Sequence, residues 1–260
     1  MYQCKRLVIN DLRSITIRMK AWRVDCSPAP RHEARPLMEK MPYRPSLDDI
    51  VSVTPGTVPG SVVQEATNWR HGLPTLCGAL ATLRELSPGD APSLLACMAT
   101  EEVSRFISPP PATVEGFERF IAWAHRERAA SRCVCLAVVP RECESAVGLF
   151  QLRSLEPDFG LSEWGFALAA EYWGTGIFTE GAALVIDFAF DVIGAHRLEA
   201  RAALKNNRGN GALRKMGAVQ EGILRRSFLR NGEYLDQALW TILREEWMEA
   251  KAVWGSRVIH

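Results

Sequence analysis

The stretch YWGTGIFTEG, residues 172–181, sets Gly174 and Gly176 one residue apart, directly before a nearly all-apolar run of helical length. A strand, a glycine loop and a helix in that order make an anion cradle. The first N–H groups of a helix have no partner inside it. The macrodipole favours negative charge at the same end, and glycine permits close backbone approach. Two carboxylates stand on flanking segments that read as strands: Glu163 in Ser-Glu-Trp-Gly and Glu199 in Leu-Glu-Ala-Arg. A carboxylate on a central strand can act as a general base. Each has a plainer reading as well. Arg197, Glu199 and Arg201 alternate with Leu198, Ala200 and Ala202, the pattern of a half-solvated strand with a charge ladder on one face. Glu163 fits a structural carboxylate satisfied by a neighbouring strand.

A G-x-G pair alone also fits a tight strand-to-helix connection with no ligand. Two specific phosphate motifs are excluded. The Rossmann fingerprint needs a third glycine where Thr179 stands, and the P-loop needs G-K-[ST], which is absent.

The elements that must position these residues are legible from about residue 65. LCGALATLREL (76–86) reads as a strand. A helix over 91–99 follows, with Ser87 or Asp90 as its cap. Thr113 caps a second helix whose Val114, Phe117, Phe120, Ile121 and Ala124 share a face. CVCLAVVP (133–140), AVGLFQLR (146–153) and FGLSEWGFAL (159–168) read as strands. A mostly buried helix spans about 179–193, then a strand 196–204 and a short helix 206–217 closed by Gly217. Two strands flank Asn231-Gly232, a strong hairpin signal, and a helix ends the chain. The order predicts an α/β (α+β) class with a mixed sheet of about seven strands.

Composition bounds the function. Apolar residues make up 47% of 260, enough for a sizeable core, and the net charge of +1 gives no electrostatic case for DNA or a membrane. The seven cysteines lack paired metal spacing, so no metal is expected, and Cys133 and Cys135 read as packing residues on one strand face. The start, MYQCKRLVINDLRSITIRMK, has no apolar h-region, and no run reaches transmembrane length. Together these predict a cytoplasmic protein. Residues 1–64 differ from the rest: basic, then rich in Pro, Gly and Ser, they read as a loosely ordered extension before a domain at 65–260. Its basic charge suggests docking on a ribosome. A true start at Met38 or Met41 is the other reading.

Four blocks, in order, resemble the GNAT acyl-CoA N-acetyltransferase superfamily, and within it the RimJ/RimL-like ribosomal-protein N-acetyltransferases. They are LATLREL-SPGDAPSLLACM, SEWGFALAAEYWGTGIFTEGA, HRLEARAALKNNRGNGALRKMGAVQEGILR and NGEYLDQALWTILREEW, spanning about 75–248. The resemblance implies the GNAT fold, with flanking helices and a splayed fourth strand (159–168). It implies acetyl-CoA as co-substrate and an amine as acceptor, either a protein N-terminus or a small amine. Phe166, Ala167 and Leu168 would hold the pantetheine arm and polarise the thioester. Trp173, Gly174, Thr175, Gly176, Ile177, Phe178 and Thr179 would form the pyrophosphate loop, and Asn206 would bind the arm, cap a helix, or do both. Glu199 and Glu163 are the candidate bases.

The chain departs from the family pattern in two places. The loop usually reads [QR]-x-x-G-x-[GA]. Here Trp173 takes its first position and Phe178 its last, so the Phe178 ring must point away from the phosphates. Leu213 stands where many members carry a tyrosine acid. No cysteine lies near the loop in sequence, which favours direct attack by the amine over an acyl-cysteine. Arg225, Arg226 and Arg230 read either as an acidic-acceptor site or as a solvated face, and His196 as a packing or capping residue. An acyl-CoA-binding module without a base is the remaining alternative.

Overall fold

A computed structural model describes residues 68–256, with side chains to Lys251. The expected extension and its boundary at residue 64 lie outside the described residues. One sheet runs in the order β1-β2-β3-β4-β5-β6-β8-β7. Its strands are β1 (Leu76–Cys77), β2 (Ala81–Glu85), β3 (Cys133–Pro140), β4 (Gly148–Ser154), β5 (Leu161–Leu168), β6 (Arg197–Ala203), β7 (Val219–Arg230) and β8 (Glu233–Leu243). The helices are α1 (Ala91–Met98), α2 (Glu101–Ser104), α3 (Val114–Ala129), α4 (Ile177–Asp187), α5 (Asn207–Lys215) and α6 (Arg244–Ser256). Neighbouring strands are antiparallel except β5 and β6, which α4 connects in parallel.

Among the described residues the sheet has eight strands rather than about seven, because 76–86 is a hairpin and not one strand. The Gly78 N–H donates to the Ala81 carbonyl at 2.9 Å, closing the turn. A carboxylate on another element fixes it: Glu180, in the first turn of α4, accepts the N–H groups of Ala79 (2.6 Å), Leu80 (2.8 Å) and Ala81 (3.0 Å). The start signal before α1 also acts differently from the expectation. Ser87 begins a 3-10 turn over Pro88–Asp90, and Asp90 reaches back to the Ser87 N–H (2.7 Å) and pairs with Arg84 (2.7 and 2.8 Å). Thr113 caps α3 as its spacing predicts, accepting from the Gly116 N–H at 3.1 Å. The four-residue α2 is too short to show a helical period.

Two cores sandwich the sheet. On one face α4 sets Ala182, Val185 and Ile186 against Leu152, Trp164, Leu198 and Ile242. On the other, α1 and α3 set Leu94, Phe117 and Ile121 against Cys133, Cys135, Ala137 and Leu149. The paired cysteines are thus packing residues of that second core.

β5 and β6 share only three paired positions, Leu161↔Arg197, Ser162↔Leu198 and Glu163↔Glu199. Beyond them the strands part, while β4 follows β5 to Leu168 and β8 follows β6 to Ala203. This is the splay expected of the fourth strand, which is β5 in the full count. Phe166 sits at 4.5 Å from Phe178 and 5.6 Å from Trp164, ring centre to ring centre, filling the α4 side of the opening. The loop from β5 into α4 turns on Gly174 (φ +80°) and Gly176 (φ +95°), both left-handed.

Each of these glycines resists a side chain, and unequally. The left-handed backbone costs a non-glycine residue about 1–2 kcal/mol at either site. A Cβ on Gly176 would also meet Leu80 Cδ1 at 3.0 Å, whereas one on Gly174 meets nothing within 4 Å. Gly176→Ala is expected to lower the melting temperature more than Gly174→Ala; the reverse order would contradict the packing of this loop on Leu80. Glu180→Ala, which strips three backbone donors of their acceptor, should lower stability in urea by about 1–2 kcal/mol.

Candidate active site

The opening between β5 and β6 forms a cleft of about 330 Å³. Phe166, Ala167 and Leu168 of β5 line one wall, Trp173, Gly174 and Phe178 a second, and the start of α5 from Asn206 to Ala212 a third. The segment from Glu102 to Ile107 supplies the remainder. Sequence reasoning therefore chose seven residues that share one cavity although they come from three separate stretches of chain.

Thr175, Gly176, Ile177 and Thr179 do not line it, and their roles differ. The Thr175 hydroxyl donates to the Tyr172 carbonyl at 2.8 Å and accepts from the Ile177 N–H at 3.4 Å, so it braces the loop. The amides of Phe178 and Thr179 belong to the first turn, which has no acceptor within the helix. Ile177 is buried in the core. The Phe178 ring packs on Phe166 and Phe150, as its bulk requires. Asn206 caps α5 by accepting from the Gly209 N–H at 2.9 Å while also lining the cleft, so the two expected roles coexist in position.

Trp173 is locked by its indole, whose Nε1 donates to the Leu168 carbonyl at 2.8 Å. Over its face, 4.2 Å from the ring centre, lies the Arg208 guanidinium. Arg105 lines the opposite side of the cleft against Phe106. The sequence reading missed both cations. Arg208 sits two residues after Asn206 in what reads as a solvated helix start, and only the fold brings it to Trp173, 35 positions away in the chain.

Glu163 and Glu199 do not line the cleft. They stand side by side at the last paired position before the strands part, in a row that runs Cys133, Arg153, Glu163, Glu199, Thr241 across the sheet. Glu163 pairs with Arg153 through Oε2 and faces Arg201 Nε at 3.6 Å through Oε1. Glu199 accepts from Arg197 Nε at 3.1 Å through Oε1; among the described residues no donor reaches its Oε2. The two forks of Arg197 are taken by Glu221, at 2.9 and 2.6 Å, and Glu221 also accepts from the Thr241 hydroxyl at 2.8 Å. Glu221 is the extra residue of a bulge in β7, between Gln220 and Gly222, and the bulge turns it toward Arg197. Hydrogen bonds from Arg197 and then Thr241 hold the Glu221 carboxyl down at about 2, and the Arg197 guanidinium is correspondingly raised.

The other candidates fall outside the cavity lining. Arg225 and Arg226 belong to a second β7 bulge, where Arg226 has a positive φ and its N–H donates to Asp236 at 2.7 Å. Arg230 Nη2 donates to the Ser104 carbonyl at 2.9 Å and so ties the β7–β8 hairpin to the segment lining the cleft. His196 is a connector through its backbone, bonded to Gly160 and Arg244. Leu213 is buried at 1% exposure and carries no acid. Cysteines do approach the loop in space: Cys143 Sγ lies 3.6 Å from the Tyr172 hydroxyl, next to Trp173, though among the described residues no cysteine lines the cleft. Among the described residues no cluster of His, Cys, Asp or Glu suits a metal ion, and no helix is long and apolar enough to cross a membrane.

A cleft with an apolar floor, two guanidinium groups and a helix N-terminus at one edge fits a molecule with an extended arm and phosphates, as CoA is. Comparison with known proteins bears on this. The acetyltransferase (GNAT) domain family matches residues 81–219, just over half the chain. The N-acetyltransferase YoaA of Bacillus subtilis, itself uncharacterised, is 26% identical over 62% of this chain and 92% of its own length. Spermidine N(1)-acetyltransferase of Escherichia coli is 27% identical over 41% of this chain and 58% of its own. Two solved structures share the fold. Mycobacterium smegmatis RimJ in complex with CoA-disulfide has a TM-score of 0.60 at 20% identity, covering 66% of this chain and 85% of that one. Ribosomal-protein-S5-alanine acetyltransferase from Vibrio fischeri has a TM-score of 0.60 at 19% identity, covering 67% and 98%. With the splayed sheet, the glycine loop and the family match in agreement, the chain belongs to the GNAT acetyltransferases and is an N-acetyltransferase of that type.

Proposed function

We propose that this enzyme transfers an acetyl group from acetyl-CoA to a protein N-terminal α-amine, with Glu199 as the base. The observation that carries the acceptor class is charge balance beside the cleft. Glu163, Glu199 and Glu221 are matched by Arg153, Arg197 and Arg201, so this face offers no net attraction to a polycation. A polyamine or aminoglycoside gains from an uncompensated acidic site; a peptide N-terminus brings one charge and needs less. At pH 7 roughly a tenth of α-amines, with a pKa near 8, are already neutral, against well under a thousandth of lysine amines. One modest base suffices.

Bound acetyl-CoA supplies the activated acetyl group. The chain's residues do the rest. Phe166, Ala167 and Leu168 hold the arm, for past Glu163 the β6-side edge of β5 has no strand partner among the described residues to occupy its backbone groups. An N–H on that edge polarises the thioester carbonyl. Gly174, with the first-turn amides of Phe178 and Thr179, receives the phosphates, and Asn206 contacts the arm. Glu199 Oε2, free of protein donors among the described residues, takes the proton of the attacking amine, directly or through water, as the thioester C–S bond breaks and CoA departs as its thiolate. Glu163 is engaged through both oxygens and positions Arg153 and Arg201 instead. Both carboxylates lie outside the cavity lining, so the proton moves where the cleft meets the open sheet face.

The likeness to spermidine N(1)-acetyltransferase favours one second reading, a small polyamine acceptor. Thiol release from acetyl-CoA, measured with N-terminal peptides, polyamines and aminoglycosides, separates the two; turnover on spermidine alone would overturn the α-amine reading. On the accepted substrate, Glu199→Gln is expected to lower kcat about a hundredfold with little change in KM for acetyl-CoA. Glu163→Gln should cost less. The opposite ranking would make Glu163 the base. Full activity in both variants would remove carboxylate assistance from the mechanism.

A further inference from the structure

The first position of the glycine loop is Trp173. The indole has no second donor to offer a phosphate, since its one N–H is spent on the Leu168 carbonyl at 2.8 Å. Arg208 lies on that same ring, its guanidinium carbon 4.2 Å from the centre, and both residues line the cleft beside Gly174. At the vertex beside the cleft Arg153, Arg197 and Arg201 each face a carboxylate. Among the described residues no carboxylate lies within ion-pair distance of Arg208. A guanidinium held over an aromatic face keeps its charge and its fork of N–H donors, which suits bidentate contact with phosphate oxygens. It also loses less rotamer freedom on binding, because the stack already orders it.

We propose that Arg208 supplies, from α5, a contact to the pyrophosphate of the acyl-CoA, with Trp173 as its platform. The inference rests on the reading of the cleft as the acetyl-CoA site. The pairing couples two elements. α5 and the β5–α4 loop come together over the bound diphosphate, so a change at either Trp173 or Arg208 alters the same contact.

Binding of CoA and dephospho-CoA to the full chain by calorimetry, and of pantetheine by ligand-detected NMR, tests this. Arg208→Ala should weaken CoA and dephospho-CoA alike, by roughly ten- to a hundredfold, and leave pantetheine unchanged. Arg208→Lys should recover part of the loss, since it keeps the charge but not the planar stack. A loss confined to CoA would put the guanidinium on the 3′-phosphate and overturn the assignment. An equal loss for all three would make the Arg208–Trp173 stack a structural brace. No loss for any would remove Arg208 from binding. If the wild-type chain bound none of the three, the reading of the cleft itself would fall, and this proposal with it.

Discussion

The structure depends on one constraint: β5 and β6 can pair for only three residues. A parallel pair within a mixed sheet normally continues until its connection begins, burying both edges. Here β4 holds β5 on one side and β8 holds β6 on the other, each for its full length, and the two halves of the sheet diverge between them. The unpaired edges would be costly if sealed in a core, because backbone groups without partners lose their hydration for nothing. A cleft resolves this. The edges face a cavity that an extended polar ligand can enter, and the aromatic group of Trp164, Phe166, Phe178 and Phe150 closes it from the α4 side.

That same divergence assigns the chemistry to its places. At the vertex sit Glu163 and Glu199, neighbours because they form the last pair. Toward the open end lie the loop glycines, the α4 N-terminus and the start of α5. Charge is distributed accordingly. The vertex carries carboxylates and guanidiniums in balance, and the open end carries cations that lack carboxylate partners among the described residues. Glu180 is the apparent exception, an acid in the first turn of α4, but its carboxylate is turned to the β1–β2 hairpin and consumed by three backbone donors. The hairpin is thereby fastened to the helix start.

Much of this was legible in the chain. Strong local signals held: the Thr113 cap, the Asn231-Gly232 hairpin, the buried period of α4 and the left-handed loop glycines all follow from short-range chemistry. The errors arose where a distant residue decides a local conformation. Residues 76–86 have the composition of one strand, and a carboxylate 100 positions away bends them into two. Asp90 has the type and position of a cap, but Arg84 and the Ser87 amide claim its oxygens. The cysteines read as remote from the loop, yet Cys143 folds back onto Tyr172.

By itself the sequence determined the fold class, the glycine loop and the two strand carboxylates, because periodicity, caps and motif spacing act over a few residues; the seven residues of the cleft came from the resemblance of its four blocks to the GNAT acetyltransferases. Only the tertiary structure decided how those parts differ from one another. Glu163 and Glu199 look alike along the chain; their difference is how Arg153 of β4, Arg197 and Arg201 of β6 and the bulged Glu221 of β7 are set around them. Arg208 looks like any solvated helix residue until the start of α5 is packed against the loop and sets it on Trp173. Which oxygen is free, and which cation is unpaired, are properties of side chains meeting across long separations, and no local pattern encodes them.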